Sequence, residues 1–135
     1  SNLFLGSGFF DFDGAQQHGM RHGLASDVGG GTSFSPFHTM LAAYYAGREG
    51  QTKPGLSLKP SRLWWLHTGG AARALGLEGV IGTLQPGSEA DFVLLDPKAT
   101  PLLARKTERA QNLEELLFAL IVLGDDRVVD QVVIA

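Results

Sequence analysis

An acidic residue followed by a glycine cluster is the feature of this chain with the clearest chemical potential. Asp27 comes after the short apolar stretch 23–25, and Gly29, Gly30 and Gly31 follow it. A carboxylate can bind a metal ion or move a proton, and glycines let a ligand approach the backbone closely. The pattern therefore indicates a catalytic or metal-binding site at Asp27. Ordinary turn chemistry produces the same pattern, so both interpretations stay open at this point.

Histidines are the other side chains suited to binding a metal ion. The chain has four of them: His18, His22, His38 and His67. Their spacing matches neither His-x-His nor His-Glu-x-x-His, so packing or surface roles are favoured. His38 and Ser35 fall within one turn of a predicted helix, but a nucleophilic triad cannot be assembled from sequence order alone.

Three other segments have simpler explanations than a binding site. The glycine cluster and Thr32 lack the lysine and the spacing of a phosphate-binding loop. Trp64 and Trp65 fit a helix packed on a core better than a platform for stacking bases. The Asp-Asp-Arg run at 125–127 is predicted to be a turn with a local ion pair.

Composition and charge exclude several classes of protein. The chain has 135 residues, the length of one domain, and its formal net charge is −3 with scattered lysines and arginines. We therefore expect neither a nucleic-acid surface nor a membrane span, since the apolar runs are also too short. The absence of cysteine excludes disulfides and thiolate zinc sites, and it suits a cytoplasmic location.

The elements around the glycine cluster are predicted to be a strand and a helix. Residues 22–25 read as a buried strand that leads to the acid. Ser35 is a suitable N-cap, and Pro36 suits the first position of a helix. That helix is predicted to end near Gly47 or Gly50.

Further helices are predicted on both sides of this unit. A short one is expected over 11–18, and a polar connector over 51–56. Ser57 is expected to cap another helix that has Pro60 in its first turn. A last helical stretch in this half is predicted over 71–75.

The pattern changes after residue 79. A strand followed by a tight turn is predicted over 80–87, a strand stopped by Pro97 over 90–97, and a final strand over 128–134. Between them, Asn112 is expected to cap a helix that ends at Gly124. Its predicted apolar face consists of Leu113, Leu116, Leu117, Leu120, Ile121 and Leu123.

Five segments of the chain together resemble one enzyme family. The segments 1–8 and 26–35 look like the closing part of the catalytic barrel of guanine deaminases, which belong to the metal-dependent amidohydrolase superfamily. Segment 69–77 continues the match. Segment 81–97 is similar to the β segment that follows the barrel throughout that superfamily, and 123–127 is more particular to guanine deaminases.

The resemblance implies an α/β fold, the C-terminal portion of a (β/α)8 barrel plus part of a small β domain. Residues 1–79 would form the last βα elements of the barrel, and 80–135 a C-terminal β segment with an inserted helix. Asp27 would end the eighth strand, bind a single zinc ion and shuttle the proton of the attacking water. The other zinc ligands, histidines on earlier strands, and the guanine-contacting residues would lie upstream.

The implied protein is longer than this chain. A full barrel takes about 250 residues, so the chain would be the C-terminal part of a cytoplasmic, homodimeric enzyme that converts the purine guanine to xanthine. Two alternatives remain: another amidohydrolase that deaminates a different heterocycle, or a non-catalytic α/β interaction domain.

Overall fold

The computed structural model describes residues 1–49 and 55–135. In this part of the chain helices and strands are mixed, as expected for an α/β protein. The predicted connector over 51–56 lies mostly outside the described residues. The elements in chain order are α1 Phe12–Gln17, α2 Pro36–Arg48, α3 Pro60–His67, α4 Gly69–Ala74, β1 Phe92–Leu95, α5 Pro101–Thr107, α6 Leu113–Leu123, a 3-10 turn Asp126–Val128 and β2 Val129–Val133.

Among the described residues, one core forms where α2, α3 and α6 pack against one another, and α5 packs against α6. These helices contribute apolar side chains from both halves of the chain, which removes them from water and drives the packing. The largest fully buried side chains are Met40, Leu63, Leu66, Leu103, Ile121 and Val128.

The predicted start of α6 is confirmed. Asn112 accepts a hydrogen bond from the Glu115 backbone N–H at 3.0 Å, and the Glu115 carboxylate accepts one from the Gln111 N–H at 3.0 Å. The two side chains thus satisfy N–H groups that have no partner inside the helix. Gly124 is the C-cap, as expected, although Leu113 is exposed rather than part of the buried face.

The predicted N-cap of α2 is confirmed in position, and that of α3 needs correction. Ser35 occupies the N-cap of α2 but makes no capping hydrogen bond with its side chain. Lys59, not Ser57, precedes α3, because Pro60 is the first residue of that helix.

Helix α5 was not predicted, although its start is ordinary. Thr100 accepts a hydrogen bond from the Leu103 N–H at 3.3 Å, and a proline follows it at the first position of the helix.

The two confirmed strands form an antiparallel pair. Phe92 lies opposite Val133, and Leu94 lies opposite Gln131, with an irregularity in the register between Leu94 and Leu95. The ladder joins the segment before α5 to the end of the chain, so residues distant in sequence close the fold.

Two predicted strands are not present as strands. Residues 22–25 alternate between half-buried and exposed positions, and Leu24 donates a hydrogen bond to the Leu66 carbonyl at 2.8 Å. They have no neighbouring strand among the described residues, and a strand requires one. Segment 80–84 instead forms turns around an isolated bridge between Glu78 and Ile81, with Gly82 at a φ of +76°.

No helix within residues 1–49 or 55–135 combines the length and the apolar character needed to cross a membrane.

Candidate active site

Asp27 lies in a tight turn with an uncommon backbone conformation. Its φ is +50°, and no other non-glycine residue in the described part of the chain has a positive φ. Aspartate adopts the left-handed region more often than most residues do, because its side chain is short and polar. The Gly31 N–H donates to the Asp27 carbonyl, and an isolated bridge joins Val28 and Gly31. The chain therefore reverses direction directly after the acid.

The side chain of Asp27 is available for chemistry. The residue is exposed, and no hydrogen bond or ion pair engages its carboxylate within residues 1–49 and 55–135. An exposed, unpaired carboxylate can act as a metal ligand or as a proton acceptor.

The start of α2 is fixed by a hydroxyl next to the glycine turn. Ser33 Oγ accepts a hydrogen bond from the Ser35 N–H at 3.0 Å and lies 3.1 Å from His38 Nδ1. The sequence spacing predicted that His38 could meet Ser35, whereas in the structure His38 contacts Ser33. These contacts connect the segment after Asp27 to the first turn of the helix.

The other three histidines differ in what their rings contact. His18 Nδ1 lies 2.8 Å from the Gly14 carbonyl oxygen, and the His22 ring packs near Phe10, with the ring centres 5.3 Å apart. His67 has a buried Nε2 without a hydrogen-bond partner among the described residues. No group of three or more His, Cys, Asp or Glu side chains that could hold a metal is found in the described ranges.

A cavity of about 230 Å³ lies beside the site, between the first residues of the chain and α2. Ser26, Thr32 and Ser33 line it, together with His22 and His38. Asp27 itself is not among its lining residues. The cavity is therefore adjacent to the candidate carboxylate rather than centred on it.

The predicted ion pair after α6 is confirmed. Arg127 Nη2 lies 2.6 Å from Asp125 Oδ2, and the Arg127 backbone N–H also donates to Asp125. These hydrogen bonds hold the pKa of Asp125 below its ordinary value and raise the pKa of Arg127. The segment is a charged turn between α6 and β2, as its sequence indicated.

The sequence matches the model of the Amidohydrolase family over residues 5–134, so the chain belongs to the amidohydrolase family. Guanine deaminase of Escherichia coli (strain K12) is 39% identical over 127 residues, which are 94% of this chain and 28% of that protein. A probable guanine deaminase of Deinococcus radiodurans is 39% identical over 132 residues, covering 98% of this chain and 30% of that protein.

The fold agrees with this relationship. The structure of E. coli guanine deaminase superposes with a TM-score of 0.90 at 37% identity, over 98% of this chain and 30% of that one. The chain aligns to the C-terminal part of these proteins and spans about 30% of their length.

Proposed function

We propose that this chain is the C-terminal part of a longer, zinc-dependent enzyme that hydrolyses guanine to xanthine and ammonia. The observation that carries the proposal is the likeness to guanine deaminases, at 39% identity in sequence and a TM-score of 0.90 in structure, over nearly the whole chain. On this proposal, residues 1–79 complete a (β/α)8 barrel and residues 80–135 contribute to a small β domain. The two segments share one core, because α6 packs on α2 and α3.

Asp27 is proposed as both a zinc ligand and the proton shuttle. Its exposed, unpaired carboxylate fits zinc as one oxygen donor. A catalytic zinc needs about three protein ligands, so the others come from the rest of the longer protein. A bound zinc ion would lower the pKa of its water toward 7.

The acid–base step assigned to Asp27 follows from the chemistry of the leaving group. The carboxylate accepts a proton from the attacking water and returns it to the departing amino group. Ammonia leaves readily only when that nitrogen is protonated, so one carboxylate serves both halves of the reaction. The turn at Asp27 supports this assignment, because it leaves the side chain exposed at the end of the segment 22–26.

The experiment is an ammonia-release assay on the complete protein loaded with zinc. Guanine is compared with adenine and cytosine, which carry amino groups on different rings. Release with guanine alone is the expected result. Release with another heterocycle instead would identify a different amidohydrolase, and no release with any of them would favour the non-catalytic domain. We also propose that the complete protein is a homodimer, and light scattering on the same sample measures its mass in solution.

A further inference from the structure

The three glycines after Asp27 are needed for three different reasons. Gly29 has a φ of +108°, which side-chain-bearing residues rarely adopt. A Cβ on Gly31 would collide with the Ser26 carbonyl oxygen, so that glycine is required by the backbone of the turn. Gly30 has neither constraint, since its φ is not positive and no backbone atom is among the nearest neighbours of its Cβ position.

The space beside Gly30 is bordered by the Asp27 carboxylate. A Cβ at this position would lie 2.9 Å from Asp27 Oδ2 and 3.4 Å from its Cγ. The next nearest atom is Leu5 Cδ1, at 3.4 Å. A methyl group here would therefore push against the carboxylate, and the carboxylate can move because it has no hydrogen-bond partner among the described residues.

We propose that Gly30 is a positioning residue, which by lacking a side chain lets the Asp27 carboxylate keep the orientation needed to bind zinc. This inference rests on the proposed function of Asp27. Zinc–oxygen distances fall within about 2.0–2.2 Å, so a displacement of a few tenths of an ångström weakens the bond. Errors of about 1 Å in a catalytic group cost roughly 100-fold in rate.

The test is Gly30→Ala in the complete protein, with zinc affinity measured by competition with a chromophoric chelator. We expect about 10- to 100-fold weaker zinc binding, the range seen when groups that orient a metal ligand are altered. The melting temperature of the zinc-free protein should stay unchanged. Gly31→Ala is the comparison variant, and it should lower that melting temperature because its methyl group meets backbone.

A double-mutant cycle with Asp27→Gly separates the two proposals. Glycine accepts the positive φ at this position, so the turn is retained without the carboxylate. Gly30→Ala should then have no further effect on zinc affinity. If Asp27→Gly leaves zinc affinity unchanged, the proposed function of Asp27 fails and this inference fails with it.

Three results would overturn the inference on Gly30 alone while Asp27 remained a ligand. In the first, Gly30→Ala leaves zinc affinity unchanged. In the second, Gly30→Ala weakens zinc binding by the same factor in the parent and in the Asp27→Gly variant. In the third, the zinc-free Gly30→Ala protein melts at a clearly lower temperature than the zinc-free parent, which would show that the methyl group disturbs the fold.

Discussion

Asp27 combines an exposed carboxylate with a backbone conformation that few residues adopt. Asparagine has the same shape and also tolerates the left-handed region. It cannot accept the proton of the attacking water, however. A substitution at this residue can therefore separate chemistry from folding.

We expect Asp27→Asn to reduce the turnover of the complete enzyme by at least 100-fold while its melting temperature is retained. General acid–base catalysis contributes about 10²- to 10⁴-fold, which sets the size of the expected loss. The measurement is kcat per bound zinc ion. Asp130→Asn, on the exposed part of β2, is the matched control and should behave as the parent. Turnover within about tenfold of the parent would exclude Asp27 as the proton shuttle.

Glu114 joins two helices through its carboxylate. It accepts hydrogen bonds from Ser61 Oγ at 2.5 Å and from the Ser61 backbone N–H at 2.9 Å, at the first turn of α3. The hydroxyl bond, followed by the backbone bond, holds the pKa of Glu114 below its ordinary value. A carboxylate with a lowered folded-state pKa stabilises the fold at neutral pH, and this contribution disappears as the pH falls through that pKa.

Glu114→Gln should therefore destabilise the complete protein at pH 7, and the difference from the parent should shrink as the pH falls below about 4.5, the ordinary value for this group. Urea midpoints at a series of pH values measure this. Glu89→Gln, at an exposed residue, is the control and should show no such trend. A pH-independent difference would mean that the ionised carboxylate is not what stabilises the contact.

At the scale of elements, α6 links the helical half of the chain to the β segment. Ile121 is 1% exposed at the centre of the core, whereas Leu113 at the other end of the helix is 62% exposed. The Trp64 indole N–H also donates to the Leu117 carbonyl at 3.3 Å, which ties α3 to α6. The buried positions of α6 therefore carry most of its contribution to stability.

Ile121→Ala should lower the free energy of unfolding by about 2–5 kcal/mol, because it removes buried methyl groups and leaves a cavity. Leu113→Ala should change it by less than about 0.5 kcal/mol, since that side chain is exposed. Denaturant melts of the complete protein give both values. Turnover per folded molecule should be unaffected in both variants, and lost turnover at unchanged stability would instead place α6 in the active site.

At the scale of the whole molecule, Asp27 is the one zinc ligand that we propose among the described residues. Asp27 belongs to no group of three metal-binding side chains within the described residues. We expect the isolated 135-residue chain neither to retain zinc nor to deaminate guanine, because a catalytic zinc needs about three protein ligands. Metal analysis after dialysis is the measurement, and stoichiometric zinc in the isolated chain would contradict the prediction.

Local signals predicted much of this structure. Asn112 and Glu115 marked the start of α6, Pro36 marked the start of α2, and the Asp-Asp-Arg run at 125–127 formed its ion pair. Each of these depends on atoms only a few residues apart, so the sequence contains all that is needed. The same local reasoning identified Asp27 and its glycines as a site, whose role is still a prediction.

Contacts between distant segments decided the rest. Residues 22–25 have the composition of a buried strand, but a strand exists only where a neighbour pairs with it, and none is present in the described part of the chain. Ser57 is a good capping residue, yet α3 begins at Pro60, and its first turn is held by Glu114 from another helix, 53 positions away from Ser61. The sequence alone thus determined most of the helices, the segments that form β1 and β2, the charged turn at 125–127 and the candidate carboxylate. Only the tertiary structure determined which elements pair, because pairing depends on side chains and backbone groups that are far apart along the chain.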